Sequence, residues 1–149
     1  RLRRRRASGV SINSSSSRPP SLSEIRKAVI QIRKGKFPEL SQIGTAGSFW
    51  KNPIISNQQF EKLKIQYPNI PSFSLGDKIK IPLAWILDNV CGLKGYTKGR
   101  VGLWKNQPLV VVAKKNTSFK EIESLACEVT KIVKQKTAID IEKEVQYIG

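Results

Sequence analysis

Four stretches of the chain place apolar residues at helical spacing. Ser21 and Glu24 form a serine–glutamate capping box, and Ile25, Ala28, Val29 and Ile32 follow it, with Gly35 near the stop. A second box, Ser56 with Gln59, opens a stretch with Phe60, Leu63 and Tyr67 on one face, and Pro68 ends it. Pro82 suits the first turn of a short third helix that carries Ala84, Trp85, Ile86 and Leu87 and closes at Gly92. The longest helix starts at Ser118, boxed by Glu121. Its stripe is Ile122, Leu125, Ala126, Val129, Ile132 and Val133.

Strand patterns are fewer. Val101–Trp104 and Leu109–Ala113 are β-rich runs separated by a turn around Asn106. A last strand is expected over Glu144–Ile148, and Gly47–Trp50 suits a further short one. Helices and strands mix without strict βαβ alternation. The pattern predicts an α+β two-layer domain, a small mixed or antiparallel sheet packed against helices.

The length, 149 residues, suits one domain with a buried core. No apolar run is long enough for a membrane-spanning helix. With only Cys91 and Cys127 the chain is no disulfide scaffold, and both cysteines read as buried hydrophobes. It has no His, which excludes a His-ligated catalytic zinc and any His-based triad; no metal site is expected. It also has no Met, so it reads as a piece of something longer or a processed product.

Charge changes the picture at one end. Lys and Arg number 27 against 11 Asp and Glu, a net +16. Residues 1–20 carry Arg1, Arg3, Arg4, Arg5, Arg6 and Arg18, no acid, and a Ser/Pro run that cannot bury an apolar face. This lead-in fits a nucleic-acid-binding arm, an organellar leader, or the last strand of an upstream domain plus a linker. Residues 21–149 form the folded domain.

The segment from Gly44 through Thr45, Ala46 and Gly47 to Ser48 presents a hydroxyl after a glycine-flanked bend, and Phe49, Trp50, Lys51, Asn52 and Pro53 follow. Its spacing is not that of a phosphate-binding loop, and a tight turn leading into a strand also explains it. Ser48 has no His to activate it and would be a poor nucleophile; as a proton donor to a strongly basic carbon it needs no base. On a strand, Glu142, Glu144 and Gln146 share one face, either a solvent-facing edge or a presented carboxylate. Lys36, Lys51, Lys80, Lys94 and Lys98 sit in loops or near helix ends, where they are either solvated or suited to a diphosphate-bearing ligand. The aromatics Phe60, Tyr67 and Trp85 read as core.

Taken together, these segments closely resemble the UDP-N-acetylenolpyruvoylglucosamine reductase family. Gly44 to Ser56 resembles the family signature, and Ile32 to Pro38 its Lys-apolar-Pro step. Ala84–Asp88, Gly92–Gly95, Gln107–Val111 and Glu142–Gly149 match in order and spacing. The resemblance covers roughly Ser21 to Gly149, the substrate-binding domain that follows the FAD domains of these bacterial flavoenzymes. It implies an enzyme of peptidoglycan precursor synthesis in the bacterial cytoplasm that uses FAD and NADPH. The substrate is UDP-N-acetylglucosamine enolpyruvate, converted to UDP-N-acetylmuramate. Ser48 matches the family's proton-donating serine and Glu144 the glutamate that stabilises the enol intermediate. Lys36, Asn52, Lys80, Lys94 and Gln107 match positions that grip the UDP-sugar.

Phe73 stands in a loop where related enzymes place a tyrosine that closes over the substrate. It keeps the ring and loses the hydroxyl. The FAD-binding domain, with the family's arginine that faces the intermediate, would have to be supplied in cis or by another chain. No cofactor is expected on this chain alone. The alternative function is a basic nucleic-acid-binding module, with no membrane role in either case.

Overall fold

A computed structural model describes residues 18–41 and 43–148. The chain divides into two compact units, Arg1–Ile32 and Arg33–Gly149. The arginine cluster Arg1–Arg6 lies outside the described residues.

Helix α1, Leu22–Lys36, begins where the sequence predicts. Ser21 Oγ accepts from the Glu24 N–H at 3.3 Å, and the Glu24 carboxylate accepts from the Ser21 N–H at 2.7 Å. That backbone bond is the main reason the Glu24 carboxyl sits below the ordinary carboxylate range. No residue of α1 is buried. Its start rests on local chemistry: the cap, and an acid in the first turn complementing the helix dipole.

The second unit is built of short strands and helices. In chain order they are β1 (Ile54–Ser56), α2 (Asn57–Gln66), β2 (Phe73–Leu75), β3 (Lys78–Lys80), α3 (Leu83–Trp85), a π-helical turn (Ile86–Val90), β4 (Thr97–Lys98), β5 (Val101–Trp104), β6 (Gln107–Ala113) and α4 (Phe119–Thr137). They make an α+β arrangement with two antiparallel three-stranded sheets, ordered β1-β3-β2 and β4-β5-β6.

Local signals explain the helix starts. Ser56 Oγ accepts from the Gln59 N–H at 3.2 Å, but the Gln59 side chain donates to the Ala138 carbonyl and so does not close the expected box, whereas Ser118 and Glu121 form a full capping box. Helix α4 turns Leu125, Ala126, Val129 and Val133 inward, all fully buried. They join a core with Leu103 of β5, Ile81, Leu83, and Ile86 and Leu87 of the π turn. Each such side chain contributes roughly 1.5–3 kcal/mol of burial. Phe60 is buried, whereas Tyr67 and Trp85 are partly buried against the same core.

Five expectations need correction. The single sheet is two sheets. The strand expected over Glu144–Ile148 does not form, the bridge of Lys143 with Trp50 lying just before it, and Gly47–Trp50 makes isolated bridges instead of a regular strand. Gly47 at φ 84° turns the chain out of the extended conformation, which limits the pairing on either side. The third helix widens after Trp85: the Cys91 N–H reaches back five residues to the Ile86 carbonyl at 2.9 Å, and Ile86, Leu87 and Val90 are buried together. Finally, Cys127 is exposed and Cys91 half-buried, because Cys127 falls just past Ala126 and off the inward stripe of α4.

Candidate functional site

The segment 44–51 links two distant parts of the unit. On one side it adds to β6: Gly44 and Ala113 exchange backbone hydrogen bonds at 2.9 Å, Ser48 lies opposite Val110, and the Phe49 N–H donates to the Leu109 carbonyl. On the other side it receives the C-terminal segment. The Lys51 N–H donates to the Glu142 carbonyl at 3.0 Å and the Glu144 N–H to the Phe49 carbonyl at 2.9 Å, flanking the Trp50–Lys143 pair. Phe49 and Trp50 are buried and hold the segment on the core, their ring centroids 4.7 Å apart.

This register sets Ser48 beside the residue that receives the Glu144 amide bond, although the two are far apart in the chain. Both are exposed. Among the described residues neither the Ser48 hydroxyl nor the Glu144 carboxylate has a hydrogen-bond partner. Glu142 differs: it shares the exposed face of its segment with Glu144, but its carboxylate takes the Lys51 ammonium at 3.2 Å. Of the two candidate acids, one is paired and one is free.

The other candidate residues fall into three places. Lys80 of β3 is flanked across the ladder by Ile54 and Phe73, all three exposed on one face of the sheet. Asn52 sits just before that sheet. Its Oδ1 accepts from the Leu83 N–H at 2.9 Å, which leaves the amide NH₂ free to donate elsewhere. Lys36 at the end of α1 and Gln107 at the start of β6 are drawn together by Asn106, which donates to the Gly35 carbonyl at 2.7 Å. Lys94 stands apart, in an ion pair with Asp88 at 2.7 Å.

Asn106 is a residue whose bridging role the sequence does not announce; its only signal there is a turn. Lys51 and Lys98 are engaged otherwise than a ligand grip requires. Lys98 donates to Glu128 at 2.6 Å and to Ser124 at 3.2 Å, while the Tyr96 hydroxyl donates to the other Glu128 oxygen at 2.7 Å. The Lys98 bond holds the Glu128 carboxyl below its usual range, and Glu128 holds Lys98 and Tyr96 above theirs.

Besides a depression of about 210 Å³ lined by Lys98, Lys120, Glu121 and Ser124, two others mark the surface. One of about 170 Å³ is lined by Lys51, Asn52, Pro53, Ile54, Asp140 and Glu142, next to the Ser48–Glu144 edge. A larger one, about 280 Å³, lies over β5 and β6, with Gly102, Trp104 and Val112 in its wall, and takes in none of the candidate residues.

Comparison with known proteins decides the family. Residues 38–148 match the model of the UDP-N-acetylenolpyruvoylglucosamine reductase C-terminal domain. The chain belongs to that family. It is 40% identical over 130 residues to the UDP-N-acetylenolpyruvoylglucosamine reductase of Porphyromonas gingivalis, covering 87% of this chain and 38% of that protein. Reductases of the same name from Bacteroides fragilis and Pasteurella multocida are 37% and 36% identical, over 85% and 84% of this chain and 38% and 37% of theirs. The chain therefore spans under two-fifths of the length of these relatives. Within the reductase C-terminal domain, the matched stretch takes in the glycine bend, both sheets and the segment bearing Glu144.

Proposed function

We propose that this chain is the substrate-binding and proton-donating part of a reductase that converts UDP-N-acetylglucosamine enolpyruvate to UDP-N-acetylmuramate for peptidoglycan precursors. The observation that supports this reading is the backbone pairing that seats Ser48 next to Phe49, whose carbonyl accepts the Glu144 amide at 2.9 Å, with both residues exposed and their functional groups without a partner among the described residues. Polar groups left free at a shared edge are available to a ligand, whereas those at structural junctions satisfy one another.

The edge does not itself enclose a ring, since Ser48 and Glu144 are both exposed. We therefore assign flavin binding to the part of the enzyme that the relatives carry outside the matched stretch. There FAD, reduced by NADPH, supplies the hydride that adds to the methylene carbon of the substrate. The residues of this chain manage the charge left on the neighbouring carbon and its carboxylate. The enolate oxygen takes a proton from solvent and returns it when the carbon is protonated, and Glu144 accepts a hydrogen bond from the enol hydroxyl formed in between and stabilises that form. Ser48 Oγ–H donates its proton to the carbon, and the serine oxygen regains one from solvent. The two additions together saturate the double bond. No base is needed to activate Ser48, because the basic carbon provides the driving force.

The diphosphate and sugar are held around this edge. Lys80 supplies a point charge beside the Phe73 ring, and the free NH₂ of Asn52 donates to an anion. Lys36 and Gln107 form a second grip across the Asn106 tether. Lys94 exchanges Asp88 for the ligand. Such contacts fix the reacting carbon in place. No described helix is long and apolar enough to cross a membrane, and a nucleotide-sugar substrate suits the bacterial cytoplasm.

The test joins this chain to a flavin-binding portion and follows NADPH oxidation with the UDP-sugar. Ser48→Ala is expected to lower turnover by about 10²–10⁴-fold, the usual worth of a general acid. Turnover within about twofold of the parent removes the proton-donor role.

A further inference from the structure

The C-terminal segment is anchored on one face and free on the other. Ile141 is buried, and Lys143 and Val145 are half-buried. Glu142, Glu144 and Gln146 alternate with them and are exposed. On the anchored side, Lys143 Nζ lies 4.5 Å from the centroid of the Tyr147 ring and 3.7 Å from a Glu123 carboxylate oxygen on α4. Tyr147 in turn meets Phe119, the first residue of α4, edge to face, with centroids 4.7 Å apart and planes at 88°. The chain thus returns to the start of α4 just after Glu144.

Only two backbone hydrogen bonds flank the Trp50–Lys143 pair. A segment held by so few backbone bonds opens readily. Tyr147 and Phe119 are 44% and 50% exposed, so their contact contributes little to the core. Its geometric effect is larger, because it ties down the residue three positions beyond Glu144 while Lys143 ties down the one before.

We propose that Tyr147 and Phe119 are positioning residues that hold Glu144 at the edge beside Ser48. This rests on the reading of Glu144 as a substrate-stabilising group. The clamp fixes the direction in which the carboxylate leaves the backbone and keeps the Glu144 amide on Phe49. The Tyr147 ring meets both Lys143 and Phe119, and these ring contacts make the clamp.

The test uses the enzyme with its flavin-binding portion attached. Tyr147→Ala is expected to lower kcat by about tenfold or more, with KM for the UDP-sugar within about twofold, and Tyr147→Phe to restore kcat. Amide hydrogen exchange gives a second readout that needs no turnover: the Glu144 amide exchanges faster in Tyr147→Ala, while the amides of β6 do not change. An unchanged kcat in Tyr147→Ala, in an enzyme that Ser48→Ala inactivates, overturns the clamp and leaves the reductase reading standing. Unchanged exchange at Glu144 overturns it as well. A parent enzyme that binds flavin but does not reduce the UDP-sugar overturns the underlying reading instead, and exchange at Glu144 then still decides the clamp.

Discussion

The junction of β4 with α4 and the edge formed by residues 44–51 are both polar, and they are built in opposite ways. At the junction Tyr96, Lys98, Ser124 and Glu128 satisfy one another, with bonds as short as 2.6 Å. At the edge Ser48 and Glu144 stand with no partner among the described residues, while their neighbours Lys51 and Glu142 pair off. A network that satisfies itself holds elements together. Exposed groups left unengaged by the protein are open to solvent or to a ligand. The number of charges therefore says little about function here, and their partnering says more.

This contrast breaks most directly at Ser48. Ser48→Ala should leave the unfolding free energy within about 0.5 kcal/mol of the parent, since the hydroxyl has no partner among the described residues, while turnover falls as stated above. A large loss of stability in a melting curve would show that the edge is structural after all.

Gly47→Val sharpens the same point. At φ 84° a β-branched residue is strained, and a loss of about 1–2 kcal/mol is expected in urea unfolding. The bend should also move Ser48, so activity should fall more than stability. Equal stability would mean that the bend is not required in this form.

The junction responds to pH instead. The Glu128 carboxyl is held below its ordinary value, chiefly by the Lys98 hydrogen bond, so its contribution is present above the unfolded carboxylate range and is lost as pH falls through the lowered folded value. Glu128→Gln is expected to flatten that acid limb of stability and leave turnover near the parent. A thermal-midpoint series across acidic pH checks it, and an unchanged acid limb would mean that the junction carries no linked proton.

The smallest effect is expected at Trp50, which is 1% exposed and whose Nε1 has no partner among the described residues. Trp50→Phe removes an unsatisfied buried donor and leaves some empty volume. The two changes oppose, and stability within about 1.5 kcal/mol of the parent is expected in the same unfolding assay.

Sequence reading found what is local. Ser56 and Ser118 announce α2 and α4 because a cap is written within four residues, and the stripe of α4 follows from period alone. The division into two sheets was not legible, because it depends on β1 pairing with β3 across α2 and β2. For Glu142 and Glu144, a solvent-facing edge and a presented carboxylate were even on pattern. A lysine 91 positions from Glu142 distinguishes them in the structure, and only the fold brings it there. The same holds for Asn106, whose turn signal is local and whose reach to Gly35 is not.

The orientation of Asn52 has a consequence for chemical ageing. With Oδ1 fixed on the Leu83 N–H, the NH₂ must face outward, and conversion to aspartate would set an anionic oxygen where a donor belongs. The common route of that conversion begins with attack on the side chain by the next backbone nitrogen, carrying its proton. Here that nitrogen belongs to Pro53, which has none to give. The donor at this position is thereby shielded from the slow hydrolysis that erodes exposed asparagines elsewhere on a protein surface.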